Sequence, residues 1–224
     1  TINDAYYGGL AKWEPIGLGG VQGYYTPWEE WPEELKQYYR YDPEGAEALL
    51  DEAGYPRGAD GIRFKTVLQI GTGLDPGDDE LYAAYWRQIG VDVEVMVLES
   101  ATFIANIRNQ LFEGLAGGIA MGQDYTDPLS FMSAHLYTDA IANYPGISIP
   151  ELDAMMDAAG ATLDIEEKIR LSKEINMYAL ENHWFWWGPR VPKLLAYQPW
   201  IIGFNGEYDL GVNNRFANLF ARLW

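Results

Sequence analysis

The sequence predicts an α/β fold with a β-α-β-α-β core, because strand-like and helix-like patterns alternate along its middle. A strand pattern over residues 62–70 is followed by a helical pattern over 75–90 and a valine-dense strand over 91–98. A further helix is predicted over 101–112, and a short glycine-rich strand over 115–121. Short joints between such elements favour parallel strands linked by right-handed crossovers. We therefore expect the first two strands to lie side by side and parallel.

The helix that precedes this core is indicated by its ends. Asp42 is a natural N-cap, and Pro43 suits the first helical position because its missing N–H would be unpaired there. Gly54 can adopt the left-handed conformation that ends a helix. The apolar residues spaced for one helical face, and so predicted to be buried, are Ala46, Leu49, Leu50 and Ala53.

Two helices are predicted after the core, over residues 150–159 and 164–182. Asp164, with Glu167 three residues later, is typical of a capping box at the start of the second. A shorter helix is expected to begin near Asp127 and Pro128. The residues predicted to form the buried stripe of the last helix are Ile165, Ile169, Ser172, Ile175 and Ala179.

The two ends of the chain show weaker patterns. Residues 1–41 are rich in Gly, Pro, Trp and Tyr, and we expect an irregular head wrapped on a folded body. Residues 184–187 and 193–197 are predicted as strands. The segment from 199 to 224 has several glycines and asparagines and is expected to dock onto another part of the protein.

Composition excludes several classes of protein. Of the 224 residues 48% are hydrophobic, enough for a core, yet no apolar run is long enough to cross a bilayer. The absence of cysteine rules out disulfides, zinc–cysteine sites and a cysteine nucleophile. A net charge of −18 repels phosphate backbones, so nucleic acid is not an expected partner. Most of this acidity is expected to be solvated surface, although an acidic cleft would attract cationic ligands.

Several motifs along the chain, taken in order, resemble a known family. Asp42-Pro43-Glu44 opens a helix with paired leucines that closes in Glu52-Ala53-Gly54-Tyr55, and this pattern resembles a hallmark of extracellular solute-binding proteins, family 5, of the peptide/nickel-type ABC importers. The later stretches that are similar to the family are residues 85–93, 123–131, 149–153 and 162–168, then Gly203-Phe204 and Leu223-Trp224.

The resemblance implies a periplasmic-binding-protein-like lobe (class C, type II) from the carboxy-terminal part of a longer protein. Residues 1–197 would form the second ligand-binding lobe, and residues 198–224 would return to a first lobe that is missing from this chain. The start at Thr1 and the lack of a signal-peptide pattern agree with this expectation. The export signal is expected on the missing part, with a location in the periplasm or on the extracellular face of a bacterial membrane.

The function implied is capture of a small solute between two lobes and its delivery to the permease subunits of an ABC importer. Short peptides are the first candidate ligand, an oligosaccharide or other polar solute the second, and a nickel complex a distant third. In peptide-binding relatives an aspartate of the cleft loop pairs with the ligand's amino terminus, and Asp124 matches it. Asp124 as a simple turn cap is the alternative.

Other residues of the same loop are expected to line the ligand wall. Peptide-binding relatives tend to carry Trp where this chain has Met121, a softer wall that leaves other solutes open. Gln123 belongs to the same motif, while Tyr125 and Phe131 line the wall or pack in the core. Asp127 is expected to be structural.

The rival class is an enzyme, with a glycoside hydrolase as its best form. Thirty-three acidic residues guarantee that some carboxylates lie close together, so their number is no evidence for catalysis. No GxSxG, Walker, Rossmann or kinase motif occurs. The tryptophans Trp184, Trp186 and Trp187 suit sugar stacking, but burial is the favoured explanation. His135 and His183 lack a zinc-binding context, and we predict neither a metal nor a cofactor.

Overall fold

A computed structural model describes residues 2–11, 23–72, 76–117, 128–186, 200–202 and 222–223. Its helices are α1 (Ile2–Tyr7), α2 (Glu33–Lys36), α3 (Pro43–Glu52), α4 (Gly77–Gln88), α5 (Ser100–Arg108), α6 (Pro128–Leu136), α7 (Pro150–Ala161) and α8 (Ile165–Glu181). Its strands are β1 (Phe64–Gly71), β2 (Val91–Leu98), β3 (Leu115–Ala116), β4 (Ile201–Ile202) and β5 (Arg222–Leu223). Within these ranges no helix is both long enough and apolar enough to span a membrane.

The first three strands form one parallel sheet in the order β2-β1-β3. β1 and β2 pair over their whole length, from Phe64 opposite Val91 to Gly71 opposite Leu98. β3 pairs with the other side of β1, with Leu115 opposite Leu68. The predicted α/β alternation and the parallel pairing of the first two strands are therefore confirmed.

The two crossover helices lie on opposite faces of the sheet. Leu68 and Ile70 of β1 point to one face, where they pack with Ala83 of α4. Because side chains alternate along a strand, Gln69 and Gly71 point to the other face. There Asn106 of α5 donates a 3.5 Å hydrogen bond to the side-chain oxygen of Gln69. The first crossover therefore leads from β1 to β2 on one side of it. The second crossover leads from β2 back past β1 to β3 on the other side.

Helix α3 has the predicted ends, whereas its predicted apolar face is only partly buried. The Asp42 side chain accepts a 2.9 Å hydrogen bond from the Gly45 backbone N–H, and Gly54 has a positive φ of 87°. Leu50 packs against the sheet core, but no residue of α3 is fully buried and Leu49 is 50% exposed, so the predicted burial of that face is confirmed only in part. The helix is tied to the sheet largely by charge, because Glu47 and Asp51 both pair with Arg63, whose side chain is 2% exposed.

Helices α6, α7 and α8 form a second core. The shared buried residues include Leu129, Met132, Leu136, Leu152, Met156 and Ile175. In α8 the predicted stripe is confirmed at Ser172, Ile175 and Ala179, whereas Ile165 is 62% exposed. Ile165 is the first residue of the helix, and its side chain lies beyond the packed part of the stripe.

The capping box at the start of α8 is half formed. The Asp164 side chain accepts hydrogen bonds from the backbone N–H groups of Glu166 and Glu167, at 2.9 and 3.3 Å. The Glu167 carboxylate binds Arg170 and does not reach back to the cap. The ion pair with Arg170 on the helix surface engages the carboxylate that a complete capping box would direct to the cap.

The amino-terminal head is more regular than predicted. Besides α1 and α2, it contains two short 3-10 turns, Trp28–Glu30 and Gln37–Tyr39. Trp31 is 3% exposed and packs in a third apolar cluster with Leu35 and Leu180. The Tyr39 hydroxyl donates a 2.7 Å hydrogen bond to the Leu180 carbonyl. Burial of aromatic rings against α8 explains this order, which weak periodicity did not indicate.

Residues 184–186 are not a strand, so that prediction is wrong. Helix α8 ends in a turn at His183, which has a positive φ of 53°. Trp184 then packs on Tyr178 of α8, with ring centroids 5.9 Å apart. Trp186 lies against α4, and its ring centroid is 4.2 Å from that of Tyr82. The rings thus reach two different helices without pairing in a sheet. Trp187 and residues 193–197 lie outside the described part.

The last described residues form a separate two-stranded sheet. β4 and β5 pair antiparallel, with Ile201 opposite Leu223 and Ile202 opposite Arg222. Residues 203–221 between them lie outside the described part. The boundary near residue 198 therefore stays a prediction.

Candidate functional site

The candidate site lies where the three parallel strands end. We call this the carboxyl edge and define it by Gly71, the last residue of β1, by Thr72 after it, by Ser100 after β2 and by Gly117 after β3. The crossover from β1 to β2 through α4 and the crossover from β2 to β3 through α5 lie on opposite faces, and the strand order reverses between β1 and β3, which makes this a topological switch point. In open α/β sheets, ligands bind in the crevice outside the carboxyl ends of the strands at such a point.

Hydrogen bonds of two hydroxyl groups connect the end of β1 to the end of β2 at this edge. The backbone N–H of Thr72 donates a 2.7 Å hydrogen bond to the Leu98 carbonyl, which extends the strand pairing by one residue. The side-chain oxygens of Thr72 and Ser100 are 3.1 Å apart, and the Ser100 N–H donates to the Thr72 hydroxyl. These bonds satisfy polar groups that would otherwise end the strands unpaired.

Two glycines permit close approaches at the edge. A Cβ on Gly71 would lie 3.0 Å from the Phe103 ring of α5. A Cβ on Gly117 would lie 2.9 Å from the Oδ1 atom of Asp79 and 3.0 Å from the Leu68 side chain. Gly117 also donates a 2.9 Å backbone hydrogen bond to Gln69, so it continues the pairing of β3 with β1.

Asp79 is a buried carboxylic acid beside this edge. It is in the first turn of α4, is 5% exposed, and directs Oδ1 towards Gly117. Burial raises the pKa of Asp79 to about 6 from an ordinary 3.8, and the charges of Asp78 and Glu80 add to the effect. Among the described residues its carboxylate has no hydrogen-bond or ion-pair partner.

The surroundings of Asp79 are acidic and aromatic. Asp78 accepts a 3.0 Å hydrogen bond from the Tyr7 hydroxyl and another from the Asp79 backbone N–H. Burial, followed by the nearby Tyr7, Asp78 and Asp79, raises the pKa of Tyr82. The aromatic side of α4 is extended by Trp186, which is 38% exposed. This corner favours a positively charged group over an anion.

Four of the five ligand residues predicted from the sequence lie outside the described part: Met121, Gln123, Asp124 and Tyr125. The segment that carries them joins Gly117 to Pro128, and so connects the carboxyl edge to α6. Phe131 is in α6 and is 5% exposed. Its ring packs in the helical core, where its centroid is 4.3 Å from that of the His135 ring. The role of all five as ligand residues stays a prediction.

Sequence reasoning missed Asp79. In the sequence it is one of three consecutive acids, Asp78 to Glu80, which are typical of the exposed first turn of a helix. The signal that distinguishes it is its place next to Gly117, 38 positions along the chain, and local patterns do not contain that contact. Within the described ranges no group of three or more His, Cys, Asp or Glu is arranged to hold a metal ion.

We expect Asp79→Asn to stabilise the fold near neutral pH and to have little effect in acid. Because the folded form holds this proton up to about pH 6, the carboxyl is neutral and tolerated below about pH 4. As the pH rises through 6 the buried charge appears, and a shift of about two units corresponds to about 3 kcal/mol lost from the free energy of unfolding.

Urea unfolding of both proteins at about pH 4, 6 and 7.5 measures this difference. The amide has its own cost of burial, so the change of the difference with pH is the test. Glu80→Gln removes one charge from an exposed position in the same turn and serves as the control. A difference that stays constant across this pH range would contradict the prediction.

The α/β lobe with its parallel sheet has the fold of periplasmic-type binding proteins. The sequence profile of bacterial extracellular solute-binding proteins, family 5 (middle region), matches residues 1–143, and the chain belongs to this family. Family 5 proteins are extracellular or periplasmic binding proteins, and neither the family nor the relatives below are enzymes.

Known proteins resemble this chain over most of its length. Heme-binding protein A of Haemophilus influenzae is 28% identical over 191 residues, which is 80% of this chain and 34% of that protein. The periplasmic binding protein DppA of Helicobacter pylori, solved with the peptide STSA, superposes with a TM-score of 0.68 at 21% identity. It covers 99% of this chain, which spans 41% of DppA.

The oligopeptide-binding protein AppA of Bacillus subtilis, solved with a nonapeptide, gives a TM-score of 0.74 at 16% identity. It covers 100% of this chain, which spans 44% of AppA. The chain thus corresponds to between about a third and less than half of each relative's length. At identities of 21% and 16%, the two solved structures support the fold assigned to this chain.

Proposed function

We propose that this chain is the second ligand-binding lobe of the solute-binding component of an ABC importer, and that its first candidate ligand is a short peptide. The observation that carries the proposal is the family 5 profile over residues 1–143. It coincides with a parallel sheet whose switch point opens beside the segment that carries Asp124. The structural relatives solved with peptides share this fold.

In this proposal residues 1–197 form the lobe, and residues 198–224 return to a first lobe supplied by the rest of the protein. Ligand contacts to both lobes would provide the free energy that closes the cleft. The closed form would then be recognised by the permease subunits. An export signal would direct the protein to the periplasm or the outer face of the membrane, and no catalytic step is required.

Binding of an equimolar tetrapeptide library by the full-length protein tests the ligand class. The library is built from alanine, serine, norleucine, glutamate and lysine, and native mass spectrometry detects the bound species. We expect retention of tetrapeptides but not of maltotetraose or of the library acetylated at its amino termini. Retention of the oligosaccharide alone would refute the peptide assignment and favour the polar-solute alternative.

A further inference from the structure

Asp79 differs from Lys36, another charged residue that is buried in the described part of the chain. Lys36, which is 8% exposed, donates hydrogen bonds to the Glu33 carboxylate and to the Glu29 carbonyl. Asp79, which is 5% exposed, has no comparable partner among the described residues. A buried charge without a partner is destabilising, so such groups are normally paired or neutralised.

The direction of the Asp79 side chain places it at the switch point. Oδ1 faces Gly117, the last described residue before the segment that carries Asp124. Gly117 has no side chain, so nothing from that residue covers the carboxylate. Asp79 is in α4, which lies on the face of the sheet opposite to α5. Its side chain therefore approaches the end of β3 from the α4 face.

The charges around Asp79 select the sign of its partner. The groups that act on it are Asp78 and Glu80, and both are acidic. Tyr7 and Tyr82 are the other titratable groups nearby, and burial raises the pKa of Tyr82, so that its hydroxyl stays uncharged. A net charge of −18 adds an attraction for cations at long range.

We propose that Asp79 is a second carboxylate of the ligand site and receives an ammonium or guanidinium group of the solute. The inference rests on the proposed function and deepens it: the preferred peptides carry a basic side chain in addition to the amino terminus. The ligand brings the partner that the Asp79 carboxylate lacks among the described residues. A site that destabilises the free fold and is completed by the ligand is a common compromise between stability and function.

Composition of the bound tetrapeptides provides the test. With the full-length wild-type protein, lysine-containing members of the library are expected to be enriched over their norleucine counterparts by about tenfold or more, because a partly desolvated ion pair is formed. Asp79→Asn should remove this enrichment while norleucine peptides are still bound. Glu80→Gln, which removes a neighbouring exposed charge, should keep it. A purely structural Asp79 would change the melting temperature without changing this preference.

Two outcomes overturn the inference, and they differ from failure of the proposed function. One is tetrapeptide binding by the wild type without preference for lysine. The other is a lysine preference that survives in Asp79→Asn. If no tetrapeptide is retained by any variant, the peptide assignment of the proposed function fails, and this inference fails with it.

Discussion

Asp124→Asn is expected to weaken binding of a tetrapeptide with a free amino terminus by about thirtyfold or more. Loss of one partner of a desolvated charge pair costs about 2 to 5 kcal/mol, and about 2 kcal/mol corresponds to this factor. Asparagine keeps the shape of the side chain and removes its charge. Calorimetric titration of the full-length protein measures the affinity, and thermal melting measures the effect on the fold.

An acetylated peptide separates the proposed contact from a general effect. If Asp124 meets the ligand ammonium, the substitution should not reduce the weak binding of the N-acetylated tetrapeptide. Asp127→Asn removes a charge from the same segment at a position expected to be structural, and should leave the affinity nearly unchanged. An equal loss for free and acetylated peptides would remove Asp124 from this role. A large fall in melting temperature would identify it as a turn cap.

Ile175→Ala is expected to lower the free energy of unfolding by about 2 to 5 kcal/mol, since it deletes buried methyl groups and leaves a cavity. Ile175 is 0% exposed in the core formed by α6, α7 and α8. The neighbours come from three helices and fill a close-packed interior, which collapses only partly around a lost side chain.

Ile165→Ala is the matched control, because it makes the same chemical change in the same helix at a position that is 62% exposed. Its effect should stay within about 0.5 kcal/mol. The urea midpoint of each variant, compared with the wild type, measures both effects. Similar losses for the two variants would show that the packing assigned to α8 is wrong.

Local patterns predicted the central sheet because each signal there is local. The predicted bounds of β2, residues 91–98, are those observed, since a run of valines is preceded by Gly90 with a positive φ of 87°. The start of α8 was predicted from Asp164, whose cap bonds need only the following residues. Because a turn fixes the start of this strand and a helix cap fixes its end, tertiary contacts can change its bounds only slightly.

The errors occur where distant contacts decide the structure. Leu49 is 50% exposed, while Arg63 of the sheet side pairs with the acidic residues Glu47 and Asp51 of α3, and helical periodicity does not reveal that pairing. Trp186 packs on Tyr82 of α4 although alternation favoured a strand. For the candidate site, the resemblance predicted the segment after β3, whereas the burial of Asp79 against Gly117 depends on the fold as a whole.

The two larger cores are built from consecutive stretches of the chain. The sheet core draws its residues from Leu50 to Leu115, and the helical core from Leu129 to Phe185. Assembly of the sheet requires β1 to pair with β2 across an intervening helix, and such non-local parallel pairing is slow, whereas contacts between helices that are neighbours in the chain form quickly. During synthesis the slower unit leaves the ribosome first. The sheet therefore has time to begin folding before the faster helical core has been synthesised.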